Sequence, residues 1–258
     1  MKKLFAFDVD GTLYDHVTGE VPKSALDAIK ILKEQGHIVG IATGRNKRQL
    51  SKALRDTSLF DFVILVNGGY CEIDGKRFYD QQFSFDQKKR LCDLFDDLGY
   101  SYGITTNHHL YAKDPQSEGV QNVINAYHVF TPEQHDRLYE LPVYQFSVYE
   151  PSEVIENFRF LETEYQIHSL GDYGYDMVIP GVNKASTLEA VANHFHIDQA
   201  HTIVFGDSDN DQDMVYHAGL GIAMESGTEA TIKKAKKVAK APHKHGIYHM
   251  IKELGYID

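Results

Sequence analysis

Residues 3–15 read KLFAFDVDGTLYD, and this stretch decides the fold. The apolar run Leu4 to Phe7 is long enough for a buried β-strand, and two acids, Asp8 and Asp10, stand where the strand ends. Two carboxylates at such a position carry a desolvation cost and repel each other, unless a cation or a reaction requires them there. The carboxyl end of a parallel strand is also where ligands bind in open α/β sheets. The alternative is a plain Asx-turn, with Gly11 as its turn residue.

The segments beyond this stretch alternate between apolar strands and helices. Further buried strands are predicted over residues 37–42, 62–66, 202–205 and 220–224, and helices over residues 22–36, 46–55, 183–195, 228–236 and 245–254. This alternation predicts a parallel sheet with right-handed crossover connections. A two-residue turn at Asp74-Gly75 predicts a hairpin after the third strand. Because parallel strands end at one edge of a sheet, we expect the polar residues that follow them to meet there.

Residues 83–182 differ in character from the rest of the chain. They contain short, aromatic-rich strands over residues 101–105, 109–112, 142–149 and 175–179, and helices over residues 84–98, 118–127 and 154–165. The alternating strands predict an antiparallel sheet. The predicted fold class is therefore α/β. Its doubly wound, Rossmann-like parallel sheet comes from residues 1–82 and 183–258, and an α+β domain of residues 83–182 is inserted into it.

The composition is that of a globular protein, with 42% hydrophobic residues, 24% charged residues and a net charge of -11. The acidic excess argues against nucleic acid or an anionic membrane as a partner. A small anionic substrate stays compatible with it, because a metal ion can invert the local field. Cys71 and Cys92 lack CxxC spacing, and the apolar run before Asp8 is too short for a signal peptide. We expect a cytoplasmic protein with no obligatory protein partner.

Four polar groups lie at strand ends or helix starts of the parallel halves. They are Asp8 with Asp10, Thr43, Lys184, and the acidic loop with Asp207, Asn210 and Asp211. Their order and chemistry resemble the four motifs of the haloacid-dehalogenase-like (HAD) phosphohydrolases, here DVDGT, the Thr of IATGR, the Lys of GVNKAS, and GDSDND. The insert between the second and third motifs is similar to the Cof-type phosphatases, which carry a large α/β cap there. Each group alone could be a helix cap or a solvated residue, but the four together favour the functional interpretation.

The resemblance implies a Mg²⁺-dependent phosphatase that forms an aspartyl-phosphate, with small phosphorylated metabolites, sugar phosphates first, as substrates. Asp8 would be the nucleophile, and Asp10 would protonate the leaving oxygen and then deprotonate the attacking water. Thr43 would donate to a phosphoryl oxygen, and Lys184 would offset the charge of Asp8 and of the phosphate. Carboxylate and carbonyl oxygens suit Mg²⁺. The implied metal-binding residues are Asp8, Asp10 through its backbone carbonyl, Asp207 and Asp211.

A second group of residues is expected to contact the phosphate or the substrate. Gly44 and Arg45 follow the second strand, Asn67 and Gly68 follow the third, and Asn210 lies in the acidic loop. A plain turn would also explain the Asn-Gly pair, and the arginine could pair with a surface carboxylate.

Two regions of the chain are less clear from the resemblance. Residues 225–227 read ESG where relatives often carry Gly-Asn-Ala, so no role transfers to them. In the cap, the candidates for stacking on a substrate, or else for the cap core, are His108, His109, Tyr111 and Tyr175.

Two other functions stay open at this point. A phosphomutase of the same superfamily would use the same residues and return the phosphoryl group to a second hydroxyl. A catalytically silent binding protein would keep the fold without turnover, although the presence of every motif residue speaks against it.

Overall fold

The computed structural model describes residues 2–55, 58–127 and 130–257. The chain forms two compact units, of which the first comprises Met1–Gly44, Leu50–Tyr79 and Asn183–Asp258, and the second Arg45–Gln49 and Asp80–Val182. The assignment of residues 83–182 as a functional cap domain stays a prediction. Among the described residues, no helix combines the length and the apolar character needed to cross a membrane.

Strands and helices are numbered in chain order. The strands are β1 (Leu4–Phe7), β2 (Ile38–Ala42), β3 (Phe62–Leu65), β4 (Tyr70–Ile73), β5 (Lys76–Asp80), β6 (Tyr102–Thr105), β7 (Leu110–Ala112), β8 (Glu133–Gln134), β9 (Gln145–Val148), β10 (Gln166–Ser169), β11 (Tyr175–Val178), β12 (Thr202–Gly206), β13 (Leu220–Met224) and β14 (Lys237–Ala239). The α-helices are α1 (Lys23–Glu34), α2 (Phe85–Asp97), α3 (Glu118–Tyr127), α4 (Lys184–His194), α5 (Gln212–His217), α6 (Glu229–Lys234) and α7 (Gly246–Glu253).

The first unit is built on an eight-stranded sheet in the order β14-β13-β12-β1-β2-β3-β4-β5. The strands from β14 to β3 pair in parallel, and β4 pairs antiparallel with β3. From β1 the chain continues through β2 to β3 on one side, whereas β12 continues to β13 and β14 on the other. The strand order therefore reverses between β1 and β12, which is the position where open α/β sheets bind ligands. The predicted doubly wound α/β fold is confirmed.

The second unit has a six-stranded sheet in the order β10-β11-β9-β6-β7-β8, antiparallel except for the pair β7 and β8. Its core contains the buried aromatic side chains Phe83, Phe95, Phe146 and Phe158. Helix α3 packs Val120 and Val123 against Ala112 and Tyr149 in a smaller cluster. The four phenylalanines are fully or almost fully buried, so the aromatic residues of this region mainly build its core.

Two predicted helices are wrong. Residues 46–55 contain only the 3₁₀ turn Lys47–Gln49, because Asn46 and Gln49 close that turn through reciprocal side-chain bonds to each other's backbone N–H groups. Residues 154–165 form two 3₁₀ segments, Ser152–Asn157 and Arg159–Thr163. Between them the backbone leaves helical geometry at Phe158, whose ring is fully buried.

Gly40 in β2 provides a test of the sheet packing. A Cβ atom on this residue would lie 2.4 Å from the backbone oxygen of Phe62 and 2.5 Å from its ring. We expect Gly40→Ala to lower the free energy of unfolding by about 1–3 kcal/mol, because the strand partner cannot move away without distorting the sheet. Chemical denaturation measures this loss. The exposed substitution Val238→Ala is the control, with an expected change within about 0.5 kcal/mol, and equal effects of the two would contradict the packing argument.

Candidate active site

A buried lysine lies between two buried carboxylates at the reversal of strand order. The Lys184 ammonium donates to Asp8 Oδ1 at 2.6 Å and to Asp211 Oδ1 at 2.8 Å. The exposed fractions are 1% for Lys184, 3% for Asp8 and 0% for Asp211, so water screens these charges little. Asp8 follows β1, Lys184 begins α4, and Asp211 ends the short 3₁₀ segment Asp209–Asp211 before α5. Three predicted site residues thus meet in one ion-pair cluster.

The start of α4 is fixed by a capping box. The Asn183 side chain accepts the backbone N–H of Ser186, and the Ser186 hydroxyl accepts the backbone N–H of Asn183. This arrangement satisfies N–H groups that would otherwise lack partners at the helix start. It also sets where the helix begins, and so it directs Lys184 into the cluster.

The charges in this cluster alter one another's titration. Burial opposes charge on Lys184, but Asp211 and Asp8 more than offset it and raise the pKa of the lysine above its usual range. Burial first, and then the charge of Asp211, raise the pKa of Asp8, and Lys184 offsets only part of that rise. One ammonium therefore does not balance all of the negative charge at this sheet edge.

Asp207 approaches the same place from the end of β12. Its Oδ1 accepts a hydrogen bond of 3.0 Å from the Thr12 hydroxyl. Gly11 has a φ of +75°, and a Cβ atom there would lie 2.3 Å from Asp207 Oδ2, so the glycine is required both for the turn and for space. Burial and the charge of Asp211 raise the pKa of Asp207 to about 6, against the hydrogen bond from Thr12.

The three acids Asp8, Asp207 and Asp211 form a cluster suited to a cation. One carboxylate oxygen from each lies within 4.8 Å of those of the others. Asp8 Oδ2 is buried and has no hydrogen-bond partner among the residues that the structure describes. Asp211, in contrast, has hydrogen-bond partners, because its Oδ2 accepts the backbone N–H groups of Asp207 and Ser208. The orphaned oxygen of Asp8 and the oxygen-only donor set fit a hard divalent cation, with Asp211 orienting its neighbours.

Asp10 lies beside this cluster in sequence and is more exposed. Its side chain is 38% exposed, and its Oδ1 lies 3.4 Å from His16 Nε2. Its backbone forms a bridge with Tyr14 in the turn that follows β1.

The loops after β2 and β3 form a second set of contacts in the first unit. Thr43 is buried, and its backbone carbonyl accepts the N–H of Asn67 at 3.0 Å. The side chain of Asn67 accepts the amide of Asn210 at 2.9 Å, which joins this loop to the acidic loop after β12. Asn67 has a left-handed φ of 52°. A Cβ atom on Gly44 would lie 3.1 Å from the Asn67 side chain, so the turn after Thr43 is closely packed.

Gly68 joins the loop after β3 to α4. It has a φ of +100°, and a Cβ atom there would lie 2.3 Å from the backbone oxygen of Asn183. The Thr187 hydroxyl donates to the Gly68 carbonyl at 2.8 Å. Glycine is needed here for close backbone approach beside Lys184.

Arg45 and the aromatic candidates belong to the second unit. The Arg45 guanidinium donates to the backbone oxygen of Gln49 at 2.6 Å. Tyr175 is buried against Phe158 with ring centroids 5.7 Å apart, which is a core contact. His109 Nδ1 lies 2.9 Å from Glu133 Oε1, and the His109 ring lies 5.7 Å from that of Tyr111.

Some residues that shape the site had no role in the sequence interpretation. Thr12 holds Asp207, and Asn183 and Thr187 fix the start of α4. The signal for Asn183 was present, because a capping residue three positions before a serine precedes the helix. The Thr187 contact depends on a partner 119 residues away, and no local pattern indicates it.

The site thus combines an aspartate at the end of a central parallel strand, a buried lysine and an acidic loop at the end of a neighbouring strand. The chain belongs to the haloacid dehalogenase-like hydrolase family, whose model matches residues 5–251. The predicted family membership is confirmed.

Relatives of known name support the same assignment. A Bacillus subtilis protein, 5-amino-6-(5-phospho-D-ribitylamino)uracil phosphatase YitU, is 25% identical over 97% of this chain and 96% of its own length. A Streptococcus pyogenes protein whose name joins a phosphatase and a peptidyl-prolyl cis-trans isomerase is 30% identical over 99% of this chain, which spans only 54% of that longer protein.

Solved structures share the fold over their full length. A hypothetical protein from Geobacillus kaustophilus has a TM-score of 0.92 and 26% identity, with 100% of both chains covered. A sugar phosphatase of HAD subclass IIB has a TM-score of 0.82 and 26% identity, with 99% of this chain and 100% of that chain covered.

Removal of the buried ammonium should destabilise the protein. Lys184→Met leaves Asp8 and Asp211 buried without their cation, so we expect a loss of about 3–5 kcal/mol in the free energy of unfolding at pH 8. The loss should shrink at lower pH as Asp8 takes up a proton. The control is Lys88→Met, a buried lysine whose ammonium donates to the Leu141 carbonyl rather than to a carboxylate. A Lys184→Met loss no larger than that of the control, or one independent of pH, would contradict the analysis.

Asp207 should make the metal-free protein less stable as pH rises. Its pKa is about 6 in the folded chain against an ordinary value of 3.8. Its contribution to folding stability is therefore fully present below pH 3.8 and is lost as pH rises through about 6. Between pH 4 and pH 7.5 we expect the free energy of unfolding of wild type to fall by about 2–3 kcal/mol relative to that of Asp207→Asn. Denaturation of both proteins in chelator measures the difference. A difference that does not change with pH would contradict the raised pKa.

Proposed function

We propose that this chain hydrolyses phosphate monoesters of small metabolites, sugar phosphates first, through an aspartyl-phosphate on Asp8. The observation that carries the proposal is the buried Lys184 ammonium on Asp8 Oδ1, beside an Asp8 oxygen with no partner among the described residues. Family membership and the phosphatase names of the relatives support the reaction class. The sugar phosphatase structure at 26% identity supports the substrate class. A cytoplasmic location remains part of the proposal.

The proposed reaction uses the chain's own groups in two displacements. Asp8 Oδ1, oriented by Lys184, attacks phosphorus, and the bond to the leaving oxygen breaks as Asp10 gives that oxygen a proton. Asp10 then takes a proton from water, and the water oxygen displaces Asp8 from phosphorus to release inorganic phosphate. The Lys184 ammonium offsets the charge on the phosphoryl oxygens, and the Thr43 hydroxyl donates a hydrogen bond to one of them.

The proposed cofactor is Mg²⁺, held by Asp8 Oδ2, the backbone carbonyl of Asp10 and Asp207. When bound, it would neutralise negative charge on the phosphoryl group and on the acids. Asp211 fits an orienting role, because both of its oxygens accept hydrogen bonds from the protein. Asn210, Asn67, Gly68 and Gly44 are proposed to shape the phosphate pocket, and Arg45 to bind substrate.

The decisive test is phosphate release from a panel of phosphorylated metabolites, with Mg²⁺ and with chelator. We expect Mg²⁺-dependent release by wild type and at least a 10³-fold loss of kcat, on the order of catalytic-residue knockouts, in Asp8→Asn. Asp8→Asn should keep the circular dichroism spectrum of wild type. Asp27→Asn is the control, because this exposed acid of α1 lies outside the loops that carry the acid cluster.

The same panel separates the alternative functions. A phosphomutase would need a bisphosphate activator and would release little inorganic phosphate, and a binding protein would bind a phosphorylated compound without turnover. Equal phosphate release by wild type and Asp8→Asn would overturn the proposed nucleophile.

A further inference from the structure

Residues 225–231, which follow β13, contact the loop of Asp207. The Thr228 backbone N–H donates to the Asp207 carbonyl at 2.7 Å. The hydroxyl of Thr228 donates to Asp209 Oδ1 at 2.9 Å, and the fully buried Thr231 hydroxyl donates to the Ser208 carbonyl at 2.9 Å. Three hydrogen bonds from one short segment therefore hold three consecutive residues, Asp207 to Asp209. Their common effect is to fix the backbone that carries the Asp207 carboxylate.

Gly227 lies in close contact with the backbone of Asp207. A Cβ atom on Gly227 would lie 2.5 Å from the Asp207 carbonyl oxygen and 2.9 Å from its Cα. Any side chain there would push the two loops apart. The position of Asp207 thus depends on the position of residues 225–228.

Glu225 ties this segment to the end of the chain. Its carboxylate accepts Lys244 Nζ at 2.7 Å and the Ala241 backbone N–H at 3.2 Å through Oε1, and Lys240 Nζ at 3.2 Å through Oε2. The Glu225 backbone N–H donates to the Ala239 carbonyl at 2.8 Å. These contacts with Lys244, Ala241 and Lys240 lower the pKa of Glu225 to about 2, so the residue stays charged at neutral pH.

The same C-terminal segment also contacts the loop that follows Asp8 and Asp10. His243 Nδ1 lies 3.3 Å from the buried Asp15 carboxylate, and the His245 ring lies 2.9 Å from the Ser24 hydroxyl. Residues 239–245 thus contact Glu225 after β13, Asp15 in the loop after β1, and Ser24 in α1.

We propose that Glu225 is a positioning residue for Asp207, and that it sets the affinity of the site for a divalent cation by fixing residues 225–228 against the Asp207 loop. This inference rests on the proposed metal centre. It gives a role to the Glu-Ser-Gly sequence that stands where relatives often carry Gly-Asn-Ala. Outer partners of metal ligands commonly change metal affinity without contacting the ion, because they decide how closely the ligands keep their geometry.

The test uses Glu225→Gln, which keeps the side-chain shape and removes the charge that pairs with the two lysines. We expect its dissociation constant for Mn²⁺, measured on metal-free protein by electron paramagnetic resonance, to rise about tenfold. The Mg²⁺ concentration for half-maximal activity should rise by the same factor. The KM for the phosphorylated substrate, measured at saturating Mg²⁺, should stay at the wild-type value. Glu253→Gln is the matched control, because it removes an exposed partner of Lys237 at 2.6 Å and leaves residues 225–228 unchanged.

Two further variants keep the test decisive if Glu225→Gln folds poorly. Lys244→Met removes one of the two lysines that pair with Glu225. Gly227→Ala displaces residues 225–228 without changing a charge. Both variants should weaken Mn²⁺ binding. Variants that fold and bind Mn²⁺ within twofold of wild type would overturn the positioning role alone. Wild type that binds no Mn²⁺ and releases no phosphate would overturn the proposed metal centre together with it.

Discussion

The geometry of the candidate site in the first unit depends on one buried lysine ammonium. Lys184 joins Asp8 to Asp211, and through them it joins the end of β1, the start of α4 and the approach to α5. Residues 176 positions apart in sequence are therefore fixed within hydrogen-bond distance. A buried pair of this kind adds little net stability over an apolar packing, because desolvation of the charges offsets their attraction. Its value lies in geometry, since removal of the lysine leaves two carboxylates buried without compensation.

Lys184 compensates only part of the negative charge around it. Two acids have raised pKa values, and one buried Asp8 oxygen lacks a partner among the described residues. A structural cluster would gain stability from a second ammonium or from hydrogen-bond donors at these positions. Groups held in an unfavourable environment mark functional sites more often than stable cores. The proposed binding of a cation and a phosphoryl group would offset this structural cost.

Much of the fold could be predicted from the sequence because the strands of a parallel sheet are apolar throughout and the polar residues follow them directly. Asp8 and Asp207 are examples, since each stands immediately after a buried strand. Their roles in catalysis stay a prediction. Local patterns failed where contacts between distant residues decide the backbone. Phe158 interrupts a predicted helix to reach the core of its unit. Val66 and Asn67 adopt left-handed φ angles of 48° and 52°, a conformation that a β-branched residue such as valine rarely adopts.

The division of the chain has a consequence for its engineering and its evolution. Residues 45–49 belong to the second unit although they lie far from the rest of it in sequence, so the backbone passes between the units four times instead of twice. Excision of residues 80–182 would leave this five-residue piece without the unit it folds with. A chimera that exchanges the inserted domain between relatives would therefore have to transplant the short segment as well, and the two pieces should be inherited together.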